Sequence, residues 1–390
     1  MRLGKTLLPL LVIVGLTFSL ASPAFAAAAA PDLAPQAVSA ILMEASTGTV
    51  LYEKNAHEKL PPASVTKIMT MLLIMEALQE GRISLDDMVQ VSEHAASMGG
   101  SQIFLEPGEQ MSVRDLLKGI AVASGNDASV AMAEHVAGTE EAFVEMMNRK
   151  AEELGMKNTR FTNASGLPED GHYTTAYDIA IMSRELLKHE IITQFTSIYQ
   201  DYLRKDSKNP FWLVNTNKLV RFYEGVDGLK TGYTSEAGFC LSATAKRNNM
   251  RVIAVVMGEP DTKTRNREVS RMLDYAFANY TVHPLYETGD FITHVRINKG
   301  EQRQLPLHAS QPISILMKKG EKPQDYDTQI VLNEPLQAPL ARGETIGYVR
   351  IMKDGQTVFT YPLNMPHDVK KANIWQLFKR TGKTLFFPFG

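Results

Sequence analysis

The feature that most constrains the fold is a Ser-x-x-Lys motif at the start of a long apolar run. Ser64 and Lys67 stand three residues apart, and residues 68–77 that follow are almost entirely apolar. A run without a polar face predicts a helix enclosed by other elements. A spacing of three residues places both side chains on one face, so the end of this helix would present Ser64 and Lys67 together to a cleft.

Taken alone, the motif has a plain structural explanation, in which the serine caps a core helix and the lysine lies on the surface. Two further tripeptides favour chemistry, Ser-Gly-Asn at 124–126 and Lys-Thr-Gly at 230–232. The first lies between the predicted helices 113–122 and 128–136, where a loop can aim polar side chains into a cleft. The second lies in a predicted edge strand, whose glycines let a ligand approach the backbone closely.

The side chains of these motifs suit nucleophilic catalysis. Ser64 needs a base, and Lys67 can serve if its pKa is lowered by burial and by a second cation, Lys230. In this interpretation Ser124 relays the proton to the leaving amine, and Asn126 orients Lys67 or a substrate amide.

The remaining groups suit a negatively charged substrate. Lys230 and Thr231 would pair with a substrate carboxylate, and the Ser64 amide at a helix N-terminus would stabilise an oxyanion. The arrangement therefore predicts acyl transfer on a substrate that ends in a free carboxylate.

Composition excludes several other classes of function. A net charge of −2 over 390 residues argues against a nucleic-acid-binding protein. One cysteine, Cys240, leaves no internal disulfide and no cysteine-rich metal site. The histidines are scattered without an H-E-x-x-H pattern, so we expect no zinc centre and no cofactor. His172 is a lone histidine that either lines the cleft or has a structural role.

Both ends of the chain predict an exported protein. Residues 1–26 have the charged start, apolar centre and Ala-x-Ala ending of a signal peptide. A retained membrane anchor is the alternative, but the apolar stretch is shorter than the roughly 20 residues that a spanning helix needs. Residues 368–390 form a basic amphipathic segment of the kind that binds a membrane surface, or a tail that packs on its own domain. We expect the mature chain at the outer face of the cytoplasmic membrane, or secreted to the wall.

The pattern of strands and helices predicts an α+β domain over residues 27–282. Strand-like runs at 38–44 and 49–53 form a hairpin, as do 239–246 and 250–257, and an amphipathic helix with apolar side chains at 269, 272, 273 and 276 follows. Asp127 is predicted to cap the helix that begins at residue 128, and Thr139 the helix that follows it. Residues 283–367 consist of short β-prone runs between turn residues, which predict a small all-β domain.

With these motifs in place, residues 37–283 resemble the low-molecular-mass penicillin-binding proteins, the serine-type D-alanyl-D-alanine carboxypeptidases. The local sequences at 62–67, 124–127, 172–176 and 230–234 are similar to that family's versions. The β domain and the amphipathic tail match its usual layout, so the resemblance covers nearly the whole mature chain.

The resemblance implies a β-lactamase/transpeptidase-like fold, with helices around an antiparallel sheet. It implies that the terminal D-alanine of peptidoglycan stem pentapeptides is removed through an acyl-enzyme on Ser64, and that β-lactams acylate the same serine. Gly232 and Tyr233 complete the substrate-binding strand, with the second oxyanion donor in the backbone of Tyr233. Tyr233 stands where some members carry histidine, which affects specificity and pH dependence.

Three other readings share parts of this pattern. A class A β-lactamase would need a glutamate in an E-x-x-L-N segment between residues 126 and 230, where none is found. A D,D-endopeptidase shares every motif and stays open. A non-catalytic β-lactam sensor or wall-binding module is disfavoured, because the reactive side chains of all three motifs are intact.

Overall fold

The structure is a computed structural model that describes residues 31–374. From Leu33 onward these residues belong to one unit. The predicted signal peptide and residues 375–390 of the predicted amphipathic segment lie outside the described residues. Within residues 31–374, no helix combines the length and apolar character needed to cross a bilayer.

Helices and strands alternate up to residue 279, and strands dominate from residue 280 on. The helices are α1 Lys67–Gln79, α2 Glu93–Ala96, α3 Val113–Lys118, α4 Asn126–Ala137, α5 Glu140–Glu153, α6 Ala176–Leu186, α7 Thr193–Thr196, α8 Leu219–Phe222 and α9 Thr262–Asn279. The strands are β1 Ser39–Glu44, β2 Val50–Lys54, β3 Met88–Gln90, β4 Gln110–Ser112, β5 Gln200–Leu203, β6 Phe211–Val214, β7 Val226–Thr234, β8 Gly238–Arg247, β9 Met250–Glu259, β10 Tyr280–Tyr286, β11 Phe291–Arg296, β12 Gln304–His308, β13 Ile313–Lys318, β14 Tyr326–Leu332, β15 Thr345–Lys353 and β16 Gln356–Asn364.

A five-stranded antiparallel sheet in the order β2-β1-β9-β8-β7 organises the first part of the chain. Both predicted hairpins and the predicted edge strand, β7, are confirmed. Because side chains alternate along a strand, β9 supplies two separate cores. Ile253 and Val255 face the core that contains α1, whereas Val252 and Ala254 face the core that contains α9. The sheet is therefore covered on both sides, as an α+β fold requires.

Helix α1 is enclosed as its apolar sequence predicts. Its residues from Lys67 to Met75 are all at most 2% exposed. Its Thr70 hydroxyl donates to the carbonyl of Ala164 at 2.6 Å, which satisfies the polar group inside the core. The helix packs on α4, α5 and α6, so its first residue is held rigidly.

Strands β10 to β16 form the predicted all-β part, with a core of their own. Strand β10 follows α9 directly and pairs with β13. The predicted boundary between residues 282 and 283 therefore falls inside a strand. Val282 on β10 and Leu316 on β13 pack into the core under α9, so apolar packing joins the two parts.

Candidate active site

The first motif is brought together by a 3₁₀ turn at the start of α1. The turn comprises Ala63–Thr66, and α1 begins at Lys67. The sequence predicted the first turn of a buried helix here, and the structure forms that turn as a tighter 3₁₀ turn. Side chains three residues apart eclipse in a 3₁₀ turn, which stacks Ser64 over Lys67. The Lys67 Nζ lies 3.0 Å from the Ser64 Oγ.

The Lys67 amine is placed to act as a base. It is fully buried, and its Nζ donates to Asn126 Oδ1 and to the Ser165 carbonyl, each at 2.6 Å. Burial, and then the charge of Lys230, hold the pKa of Lys67 well below its usual range. A neutral amine has two hydrogens, and these two carbonyl acceptors use them both. Its lone pair then faces the Ser64 hydroxyl, as a general base requires.

The second motif follows a π-helical turn, Gly119–Ala123, at the end of α3. Ser124 adopts a left-handed conformation with φ 64°, and α4 begins two residues later at Asn126. The Asn126 side chain accepts from Lys67 and donates through Nδ2 to the Gly99 carbonyl at 2.7 Å. The structure therefore brings Asn126 to Lys67. No hydrogen bond among residues 31–374 links the Ser124 hydroxyl to Ser64 or Lys67.

Asp127 has a different role from the predicted cap. Gly125 is the N-cap of α4, and Asp127 lies in the helix's first turn. Its carboxylate accepts backbone N–H groups from Ile103 at 3.0 Å and from Leu105 at 3.1 Å. It therefore fixes the neighbouring loop, which also supplies the carbonyl that holds Asn126. Thr139, by contrast, caps α5 as predicted.

Glycine lets the third motif approach Ser64. A Cβ added at Gly232 would lie 2.9 Å from the Pro62 carbonyl oxygen and 3.1 Å from the Ser64 nitrogen. Any side chain would therefore push β7 away from the 3₁₀ turn. The next side chain, Tyr233, is 57% exposed and stacks on Phe239 with the ring centres 4.3 Å apart.

The other two residues of this motif are buried beside the cleft. Lys230 is 1% exposed, and its Nζ donates to the Thr231 carbonyl at 2.9 Å. Burial and the positive charge of Arg265 lower the pKa of Lys230 to about 7. The Thr231 hydroxyl donates to the Thr216 hydroxyl at 2.7 Å. Lys230 and Arg265 are thus two buried cations that lie close together, and a bound carboxylate would stabilise them.

Sequence reasoning missed two groups of this site. The Ser165 carbonyl leaves no signal, because any residue supplies a carbonyl. Arg265 did leave a signal, since it precedes Val269 by four residues and so stands on the apolar stripe of α9. It is 4% exposed, and burial lowers its pKa to about 10. Its guanidinium donates to Asn266 Oδ1 at 3.0 and 3.1 Å.

His172 fits both predicted possibilities, because it lines a cavity beside Ala63 and also holds two loops together. Its Nδ1 accepts from the Thr162 backbone N–H at 3.1 Å, so its Nε2 donates to the Thr66 hydroxyl at 2.8 Å. Burial lowers its pKa to about 4, so the ring stays neutral near pH 7. The histidine thus ties the loop before α6 to the turn that carries Ser64.

Comparisons with known proteins agree with this geometry. The family described as D-alanyl-D-alanine carboxypeptidase matches residues 25–261, and the penicillin-binding protein 5 C-terminal domain matches residues 280–371. The chain is 56% identical to D-alanyl-D-alanine carboxypeptidase DacF of Bacillus subtilis over 350 residues, covering 90% of each. The structure of penicillin-binding protein 5 from Haemophilus influenzae is similar, with a TM-score of 0.70 and 36% identity over 86% of this chain and 98% of that one. Penicillin-binding protein D2 from Listeria monocytogenes, in an ampicillin-bound form, has a TM-score of 0.55 and 32% identity over 63% and 100%.

Fold and site together define a serine hydrolase of the penicillin-binding class, with an α+β catalytic part and a C-terminal β domain. The chain belongs to the D-alanyl-D-alanine carboxypeptidase family, as a low-molecular-mass penicillin-binding protein. A serine acyl-enzyme and β-lactam binding are typical of this family. This membership sets aside the β-lactamase alternative.

Proposed function

We propose that Ser64 attacks the carbonyl between the two terminal D-alanines of a peptidoglycan stem pentapeptide. The observation that carries this role is the Lys67 amine, whose two hydrogens are taken by carbonyls while its nitrogen lies 3.0 Å from Ser64 Oγ. As the Oγ–carbon bond forms, the hydroxyl proton passes to Lys67. The carbon–nitrogen bond then breaks, and the proton reaches the departing D-alanine amine, with Ser124 as the relay.

Deacylation then releases the stem tetrapeptide, with water as the nucleophile and Lys67 again as the proton acceptor. Water attacks the ester carbonyl of the acyl-enzyme and gives one proton to Lys67. The Ser64 oxygen then leaves and takes that proton back, so that the enzyme regains its starting form. The backbone N–H groups of Ser64 and Tyr233 stabilise the oxyanion in both steps.

The substrate carboxylate binds at Lys230 and Thr231, with Arg265 behind them. The support for this assignment is the burial of Lys230 and Arg265, which lie close enough for the charge of Arg265 to lower the pKa of Lys230 and which form no salt bridge among residues 31–374. A bound carboxylate offsets the charge that depresses the pKa of Lys67. Lys67 therefore becomes a stronger base when the correct substrate is in place, and acylation is coupled to carboxylate recognition.

Mass spectrometry tests this function directly. The mature protein should release one D-alanine from diacetyl-L-Lys-D-Ala-D-Ala and carry a penicilloyl adduct after exposure to benzylpenicillin. The Ser64→Ala variant should do neither, because it lacks the nucleophile. An adduct without release of D-alanine would favour the D,D-endopeptidase alternative, and an adduct in the variant would contradict the assignment of Ser64.

We infer that the protein is exported by residues 1–26 and held at the outer face of the cytoplasmic membrane by residues 368–390. The support is the sequence pattern of both segments. In co-sedimentation with phosphatidylglycerol vesicles, residues 27–390 should pellet with the lipid, and a chain that ends at residue 373 should stay in solution. Equal sedimentation of both chains would contradict the membrane role of the tail.

A further inference from the structure

We propose that Glu259 and Glu268 share one proton in the protein interior, and that this proton keeps the positive charge of Arg265 available to the substrate carboxylate. The inference rests on the proposed function, in which that carboxylate binds at Lys230 and Thr231 with Arg265 behind them. Glu259 is then a positioning residue, because it acts on the substrate through Arg265.

Two carboxyl groups are buried where β9 ends and α9 begins. Glu259 is the last residue of β9 and is 1% exposed, and Glu268 lies in the first half of α9 and is 0% exposed. Glu268 accepts the backbone N–H groups of Gln36 at 3.1 Å and of Ala37 at 3.3 Å. Neither oxygen of Glu259 has a donor among residues 31–374. An ionised carboxylate there would be buried without a partner, so Glu259 is neutral.

A protonated Glu259 has its acceptor in Glu268. Its hydroxyl donates to the Glu268 carboxylate, and burial, followed by this hydrogen bond and the charge of Glu268, raises the pKa of Glu259 to about 8. Two buried carboxyl groups in contact oppose each other's ionisation, so they hold one proton between them. The backbone N–H groups of Gln36 and Ala37 stabilise the charge on Glu268, which places the proton on Glu259.

The other titratable groups that face the pair come from α9, β2 and β8. They are Arg265 and Arg267 on α9, Lys54 on β2 and the Cys240 thiol on β8. The Lys54 ammonium donates to two backbone carbonyls, and Arg267 donates to the Thr264 hydroxyl. Burial raises the pKa of the Cys240 thiol to about 11, so the thiol is neutral. Within the described range, none of these groups forms a salt bridge with either carboxyl group, so the shared proton stabilises the pair.

Arg265 lies between the pair and the carboxylate site. It precedes Glu268 by three residues, so both side chains lie on one face of α9, and both are buried. Its charge lowers the pKa of Lys230 on one side, and Glu259 is close enough on the other side to raise the pKa of Arg265. The guanidinium donates to the neutral amide of Asn266 and forms no salt bridge among residues 31–374. Its charge is therefore left for the substrate.

Loss of the shared proton should weaken the capture of substrate. A second negative charge would then lie near Arg265 and offset its attraction for the substrate carboxylate. The rate of acylation should therefore fall as the pH rises through the pKa of Glu259, in addition to the fall that follows neutralisation of Lys230.

Glu259→Gln tests the role of the proton. The new side-chain amide donates to Glu268 as the protonated carboxyl does, but it does not ionise. At about pH 6.5 the variant and the wild type should be acylated equally fast by benzylpenicillin, which also carries a carboxylate. At about pH 9.5 the variant should react about tenfold faster, the order expected for one unit charge near a partly buried site. Lys230 titrates in both enzymes, so the ratio of the two rates isolates Glu259.

Glu53→Gln is the matched control. It makes the same substitution at an exposed position of β2, and it should be acylated at the wild-type rate across the whole pH range. An alkaline decline in Glu259→Gln as steep as that of the wild type would overturn the proposal, because the charge of Glu259 would then have no effect on capture of the carboxylate.

Infrared spectroscopy detects the proton without catalysis. At about pH 7 the wild type should show the carbonyl stretch of a carboxylic acid, which should be lost at about pH 9.5 and be missing in Glu259→Gln. Absence of this band from the wild type would overturn the proposal even if the variant did not fold. Failure of the proposed function would appear separately, as no release of D-alanine from diacetyl-L-Lys-D-Ala-D-Ala at any pH.

Discussion

Replacing Lys67 by arginine is expected to slow acylation of Ser64 by at least about a hundredfold, which is the lower range for loss of a general base. Arginine keeps the positive charge but does not deprotonate near neutral pH. The variant therefore retains a cation beside Ser64 and loses the lone pair. Acylation by a fluorescent penicillin measures the rate, and thermal unfolding shows whether the variant is folded.

Lys188→Arg is the matched control for this result. Lys188 follows α6 at the surface and pairs with Glu185, so its replacement should leave acylation unchanged. A Lys67→Arg enzyme that acylates within threefold of the wild type would mean that another group takes the Ser64 proton.

The pH profile of the wild type gives a second check on the base. The positive charge of Lys230 adds to burial in lowering the pKa of Lys67, so a charged Lys230 favours the neutral form of Lys67. Protonated Lys67 accepts no proton, so kcat/KM should fall as the pH drops through its pKa. Neutral Lys230 attracts no carboxylate, so kcat/KM should also fall as the pH rises through about 7. A bound carboxylate raises the pKa of Lys230, which should move the alkaline limb of kcat to higher pH.

Gly232→Ala is expected to reduce acylation about a hundredfold, because an active site displaced by about 1 Å loses a rate factor of that order. The added Cβ meets the Pro62 carbonyl oxygen at 2.9 Å and the Ser64 nitrogen at 3.1 Å. Both neighbours are backbone atoms that cannot rotate away, so β7 and the 3₁₀ turn must separate. Penicillin acylation and release of D-alanine should both decline, while thermal unfolding stays cooperative.

Gly81→Ala distinguishes this steric effect from the general cost of replacing a glycine. Gly81 has φ 70° and nothing within 4 Å of an added Cβ. Alanine there should cost about 1 kcal/mol of stability and leave acylation intact. Normal acylation in Gly232→Ala would show that the close contact of β7 with the turn is unnecessary for catalysis.

Much of the site was predictable, because some of its reactive side chains lie only a few residues apart in the sequence. The pair Ser64 and Lys67 stands on one turn, so a distance of three residues was enough to bring them together. The apolar run after Lys67 predicted an enclosed helix, and alternation and periodicity predicted the sheet and α9. These signals depend on the geometry of one helix or strand, which neighbouring residues largely determine.

The rest depends on contacts between residues that are distant in sequence. Lys67 binds Asn126 across 59 residues and the Ser165 carbonyl across 98, and the second contact leaves no trace in residue type. The prediction that Asp127 caps α4 was wrong for the same reason, since the backbone N–H groups that its carboxylate accepts from belong to another loop. The approach of Gly232 to Ser64 likewise arises from packing. The sequence thus determined which reactive side chains are available, and the tertiary structure decided which carbonyls contact Lys67 and how closely β7 approaches Ser64, because only packing fixes those distances.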